Sequence, residues 1–164
     1  MPSITHPRQL VLITSRATVD IIGESVHKDN ITATTFHMPC SLSPKSYCVS
    51  LLKTSFSAKL IKESKVFVVN FVPIEFKKEV DSCIGHSGEH MNKFEKAGLE
   101  KEEADKIDCP RLKNSSGYLE CEVTHEIEIG DNIIFVGKVV NSMLHKPGKR
   151  LFLKEEGKYT TTID

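Results

Sequence analysis

The chain has 164 residues, with 22 Lys plus Arg against 22 Asp plus Glu, so its formal net charge is zero. That length fits one domain, residues 1–164, able to bury a full core without staples. A balanced charge excludes the sequence-independent attraction to phosphate backbones on which nucleic-acid binding rests.

No run approaches the ~20 consecutive apolar residues of a membrane span. Met1-Pro2-Ser3-Ile4-Thr5-His6-Pro7 carries neither the basic region nor the apolar block of a secretion signal. The expectation is a cytoplasmic protein with no membrane or nucleic-acid partner. The five cysteines (Cys40, Cys48, Cys83, Cys109, Cys121) are odd in number and scattered, with no C-x-x-C pair. They read as reduced, mostly buried thiols, not as a disulfide scaffold or a zinc site.

In chain order, Leu10-Val11-Leu12-Ile13-Thr14 is apolar without alternation and predicts a strand buried on both faces. A polar stretch ending in Lys28-Asp29-Asn30 separates it from a Thr-dense strand over residues 31–38. Pro39 and Pro44 bracket a loop, since Pro lacks the donor that a central ladder needs. Residues 47–52 and 66–72 predict two further strands. Between them Phe56, Leu60 and Ile61 form the apolar stripe of a short helix, with Thr54, Ser55 and Ser57 as candidate N-caps. Residues 76–84 predict a second short helix, and residues 89–108 are charged and helix-prone but broken by Gly98.

Residues 118–129 alternate over their whole length. Leu119, Cys121, Val123, His125, Ile127 and Ile129 share one face, and the intervening Glu and Thr residues share the other. That pattern predicts an antiparallel strand with one wet face and His125 as a core histidine. Gly130-Asp131-Asn132 turns it into a return arm over residues 133–143. Six long strands and two or three short helices, without βαβ alternation, predict a β-barrel with helical excursions.

The sequence has no G-x-S-x-G elbow, P-loop, H-E-x-x-H or G-x-G-x-x-G fingerprint. His86 and His90 stand four apart, but Gly85 and Gly88 disfavour a helix there, so no metal is expected. Hydroxyls are dense between Thr32 and Ser57. Many of them satisfy β-propensity or turn chemistry. Lys53-Thr54-Ser55-Phe56-Ser57 also admits a second reading: at a strand-to-helix junction its free N–H groups, hydroxyls and cation make a phosphate seat.

The run Thr34-Thr35-Phe36-His37-Met38-Pro39-Cys40-Ser41-Leu42-Ser43-Pro44 resembles the second-strand signature of the flavin reductase-like family, the FMN-binding split barrels. Further pieces follow in order: the Lys53-to-Ser57 turn, Val66-Phe67-Val68-Val69-Asn70, Cys83-Ile84-Gly85-His86-Ser87-Gly88 with Lys93-Phe94-Glu95, and Leu119-Glu120-Cys121 with Gly130-Asp131-Asn132. Over roughly residues 6–145 the chain is similar to the flavoredoxin and archaeal ferric-reductase-like branch.

The resemblance implies a mainly β fold, a six-stranded antiparallel split β-barrel with short flanking helices, working as a homodimer with one FMN per subunit. Residues 66–72 and 133–140 would contribute to the dimer core. Thr34, Thr35, Phe36, His37, Met38 and Ser41 would border the isoalloxazine. Ser50, Leu51, Leu52, Lys53, Thr54, Ser55 and Ser57 would run along the ribityl chain to the phosphate. Ser87, Gly88 and Lys93 would approach from the loop after the second helix. Ser55 stands where many members carry Arg, so the cation falls to Lys53 or Lys59. Asn132 stands where many relatives carry a His associated with nicotinamide binding. The implied function is FMN-dependent redox chemistry, passing electrons between NAD(P)H or another donor and a flavin, ferric or protein acceptor. The alternative is non-catalytic FMN binding or storage. The cofactor carries the chemistry, so no catalytic side chain is named.

Overall fold

The computed structural model of the chain describes residues 3–162 and is built mainly of antiparallel strands. In chain order these are β1 (Arg8–Gln9), β2 (Val11–Ile21), β3 (Glu24–Thr34), β4 (His37–Leu42) and β5 (Lys45–Leu52), then helix α1 (Phe56–Ser64) and β6 (Val66–Phe71). Helices α2 (Lys77–Cys83) and α3 (Lys93–Ala97) follow, with β7 (Lys101–Glu103) and β8 (Pro110–Leu112). A long hairpin of β9 (Gly117–Ile129) and β10 (Asn132–Leu144) precedes the short strands β11 (Phe152–Glu155) and β12 (Lys158–Thr160).

Seven strands form one sheet in the order β3-β2-β6-β9-β10-β5-β4. Its two edges, β3 and β4, do not pair with each other, so the curled sheet stays open as a split barrel. Alternation sends Val11, Ile13, Val49, Leu51, Phe67, Val69, Cys121, Ile133 and Phe135 inward, where Ala58 and Ile61 of α1 close the core. Leu10, Leu12 and Ile31 face a second core built with Val80 and Cys83 of α2 and Phe94 of α3. Two cores, one on each side of β2, explain the unalternating apolar run at its start.

The mainly β split-barrel reading holds, and several local expectations need correction. The polar stretch before Asn30 is strand: Arg16 and Asp29 pair across β2 and β3, and Arg16 Nε donates to Asp29 Oδ1 at 2.6 Å. The strand expected over residues 31–38 is two strands, divided at Thr35-Phe36. Pro39 lies within β4, where an edge strand tolerates the missing donor. Within residues 89–108 the helix is only α3, begun by Asn92, whose side chain accepts from Phe94 N and Glu95 N, and ended by Gly98 at φ 66.

The wet face of β9 is not wet at Glu120. That carboxylate is fully buried under the 104–112 segment and accepts from the N–H groups of Asp105 (2.7 Å) and Lys106 (3.0 Å) and from Arg111 Nη1 (3.2 Å). His125 is exposed rather than in the core, because beyond Val123 the hairpin runs past the packed interior. Cys48, Cys83, Cys109 and Cys121 are buried, Cys40 is exposed, and none forms a disulfide. Among the described residues no helix is long and apolar enough to cross a membrane, and no three His, Cys, Asp or Glu residues gather as metal ligands. His86 Nε2 accepts from Lys96 Nζ at 2.9 Å.

Candidate functional site

Helix α1 begins where β5 runs out beside β10. Lys53 N donates to Asp131 O at 3.0 Å and Ser55 N to Leu52 O at 3.0 Å, which turns the chain. Ser55 is the N-cap: its hydroxyl accepts from Ala58 N at 3.2 Å. Thr54 and Ser57 do not cap. The N–H groups of Phe56 and Ser57, in the first turn, have no intrahelical acceptor, so the helix start is a donor-rich, electropositive end.

Two clefts meet at Ser55. One, of about 480 Å³, is lined by Lys53, Thr54, Ser55, Phe56, Lys59, Lys62, Glu63, Ser87 and Glu89. Its three lysines are not equivalent. Lys59 Nζ donates to the carbonyl of Asp20 at 2.8 Å, and Lys62 Nζ lies 3.6 Å from Glu128 Oε1. Lys53 has no side-chain partner among the described residues, so its ammonium is the cation left for an exogenous anion.

The other cleft, of about 470 Å³, is lined by Arg8, Thr32, Ala33, Thr34, Thr35, Phe36, Ser50, Leu51, Leu52, Ser55, Asp131 and Asn132. It is a shelf of hydroxyls, backbone and apolar side chains, with Arg8 and Asp131 as its charged residues. Thr34 Oγ1 accepts from Phe36 N at 3.0 Å, and Ser50 N donates to Phe36 O at 2.8 Å, which ties the β3–β4 corner to β5. Asn132 Nδ2 donates to Ser50 Oγ at 2.8 Å. Arg8 Nε donates to Thr35 Oγ1 at 3.0 Å while its guanidinium lies 5.1 Å from the Phe36 ring centroid, so a cation is fixed at the rim.

Of the residues singled out in the sequence, Thr34, Thr35, Phe36, Ser50, Leu51, Leu52, Lys53, Thr54, Ser55, Lys59, Ser87 and Asn132 line these two clefts. The others lie elsewhere. His37 turns inward: its Nε2 donates to Gln9 O at 2.8 Å, which leaves Nδ1 to accept from the Tyr47 hydroxyl at 2.7 Å. Burial holds the His37 pKa below its ordinary value. Met38 and Ser41 lie further along the edge strand β4. Ser57 is buried, its hydroxyl accepting from Asn30 Nδ2 at 2.8 Å. Gly88 packs on that same Asn30, and a Cβ there would collide with its side chain. Lys93 is buried in the α2–α3 core, where desolvation depresses its pKa and the neighbouring Cys83 opposes that shift.

The sequence does not single out Arg8, Ala33 or Asp131 as site residues, and it marks Thr32 only as the start of the hydroxyl-rich stretch. Asp131 stands in the Gly130-Asp131-Asn132 hairpin turn that the sequence predicts. Nothing local marks Arg8, because its place depends on β1 pairing with β11, Arg8 opposite Leu153.

An open antiparallel barrel with a groove running from a hydroxyl-rich shelf, rimmed by Arg8 and Asp131, to a lysine-flanked helix start defines the class. The chain belongs to the flavin reductase-like family: the model of the flavin reductase like domain matches residues 3–162. An uncharacterised protein of Archaeoglobus fulgidus is 35% identical over 121 residues, 74% of this chain and 68% of that protein. An FMN-binding protein from Thermus thermophilus, with bound p-hydroxybenzaldehyde, superposes with a TM-score of 0.85 at 21% identity, covering 98% of this chain and 89% of that one. The flavoredoxin of Desulfovibrio vulgaris gives a TM-score of 0.82 at 21% identity over the same shares. At such identities these two structures show the fold.

Proposed function

We propose that the protein is an FMN-binding redox flavoprotein, of the flavin reductase or flavoredoxin kind. The observation that carries this reading is the meeting of two chemically different clefts at Ser55. A planar, hydrogen-bonding ring suits the shelf from Thr34 to Phe36 and from Ser50 to Leu52, and a phosphate suits the helix start beside Lys53. Bound FMN would supply hydride and single-electron transfer. The chain's own residues bind and orient. Thr34, Ser50 and Asn132 present polar edges to the ring. Arg8 supplies a fixed cation at the shelf's rim, which favours an electron-rich ring. Asn132 keeps its side-chain oxygen free to accept from a nicotinamide amide, and NAD(P)H is the proposed electron donor.

Residues Leu52, Ile129 and Ile127 are 54%, 58% and 45% exposed. Register places Leu52 and Ile129 on either side of Asn132, with Ile127 next along the same face. This apolar surface adjoins the ring shelf, and the proposed homodimer covers it. Residues 66–72 are already covered: β6 is a central strand whose Phe67, Val68, Val69 and Asn70 are buried by their own chain.

FMN and riboflavin differ only in the phosphate, so comparing them tests the assignment. Losing one charge-assisted contact costs roughly 1.5–3 kcal/mol, or about 10- to 150-fold in affinity. Lys53→Ala is expected to weaken FMN by that factor and to leave riboflavin nearly unchanged, read by quenching of flavin fluorescence. Equal losses for both ligands would remove the phosphate from this turn. Failure of the wild-type protein to bind either flavin would overturn the reading as a whole. Anaerobic bleaching of the loaded protein by NADH or NADPH separates a reductase from a flavin-storage protein, which would stay oxidised.

A further inference from the structure

The chain has four arginines, and their surroundings differ. Arg16 is met by Asp29, Glu103 and Asp108, and Arg111 by Glu102, Asp105 and Glu120. Arg8 is held by threonine hydroxyls. Arg150 has no side-chain hydrogen bond or ion pair among the described residues, and its Nε is buried without an acceptor. Its guanidinium lies 5.7 Å from the Phe71 ring centroid. Phe71 is itself held edge-on against Tyr47, at 83° and 6.2 Å.

Arg150 and Lys45 line a cleft of about 280 Å³ whose apolar walls include Phe71, Met143 and Leu144. The cleft opens where β9 and β10 draw together: a Cβ on Gly117 would lie 2.6 Å from Met143 O, so only glycine permits the approach. Lys45 is likewise without a side-chain partner among the described residues. Two uncompensated cations beside an aromatic wall suit an anion with a flat apolar body. The site is separate from the groove described above. Lys45 begins β5 and Leu52 ends it, which puts roughly 20 Å of strand between the two.

We infer that this cleft is a second ligand site, for a planar aromatic carboxylate of one or two rings. The carboxylate pairs with the Arg150 guanidinium, assisted by Lys45, and the ring packs on Phe71 and the exposed Met143. The available volume excludes anything as large as a dinucleotide.

The probe is 4-fluorobenzoate, followed by fluorine NMR and calorimetry on the full chain, with and without saturating FMN. Binding is expected at one site per chain, undisturbed by FMN. The neutral isostere 4-fluorobenzamide should bind at least tenfold more weakly, and Arg150→Met should weaken the acid about tenfold or more. Lys45→Met should produce a smaller loss. The acid–amide comparison on wild-type protein, together with Lys45→Met, decides the matter even if Arg150→Met misfolds. Equal binding of acid and amide, displacement by FMN, or no binding at all would overturn the inference.

Discussion

At the scale of single residues, the environment decides what a side chain is for. His37 and Asn132 both come from stretches that resemble flavin contacts, yet only Asn132 reaches the groove. Both nitrogens of His37 are engaged within its own chain, in a pocket with Tyr47 and Phe71. Burial pushes the Tyr47 hydroxyl up to about 12, so it stays protonated and can donate. The folded state therefore favours neutral His37, and its pKa is lowered from 6.5. The unfolded chain binds the extra proton first. Stability from this residue is fully present above about pH 6.5 and is lost as pH falls from there towards the folded value, by up to ~1.4 kcal/mol per pH unit. Urea unfolding of wild type and His37→Gln at several pH values should show a shallower decline for the variant between pH 6.5 and 5, whatever its starting stability. Parallel profiles would mean that His37 is already free to protonate in the fold.

Elements show where local rules are broken and what breaking them costs. The β2–β3 hairpin turns on Ile22-Gly23 with φ of 52° and 77°, the two positive values of a type I′ turn. Glycine suits the second position. A β-branched residue at the first is strained, by roughly 1–2 kcal/mol relative to one that tolerates the left-handed region. Ile22 is also 91% exposed, so its side chain returns nothing through burial. Ile22→Asn should raise stability by about 1 kcal/mol, seen as a Tm increase of roughly 2–4 °C in a domain of this size. An unchanged or lower Tm would show that this turn relaxes to another form in solution.

For the whole molecule the open question is what lies against the exposed face beside the groove. Leu52, Ile127 and Ile129 form a continuous apolar surface at the end of the β9–β10 hairpin, next to Asn132. An isologous pairing of two copies would cover this surface and wall the groove at once. The double substitution Ile127→Asp, Ile129→Asp is expected to give a monomer by light scattering and to weaken FMN, because the site loses a wall. The hairpin lies beyond the packed interior there, so the fold should survive by circular dichroism. A wild-type monomer that still binds FMN would rule the arrangement out.

Sequence alone determined the elements whose two faces announce themselves. The apolar start of β2, the alternation of β9 and the stripe of α1 follow from periodicity, since local spacing reports which face is apolar. The Lys53–Ser55 junction could likewise be read, because strand end, N-cap and lysine are neighbours in the chain. Periodicity cannot report what covers a polar face. Glu120 sits at a position that alternation marks as wet, and only the folded 104–112 segment buries it by offering two N–H groups and Arg111. Nor can spacing choose among like residues. Lys53, Lys59 and Lys62 line the same cleft, and the tertiary structure separates them through an Asp20 carbonyl and a Glu128 carboxylate contributed by distant strands. Arg8 enters the groove for the same reason: its strand pairs with one more than 140 residues later, and long-range pairing leaves no mark on local sequence.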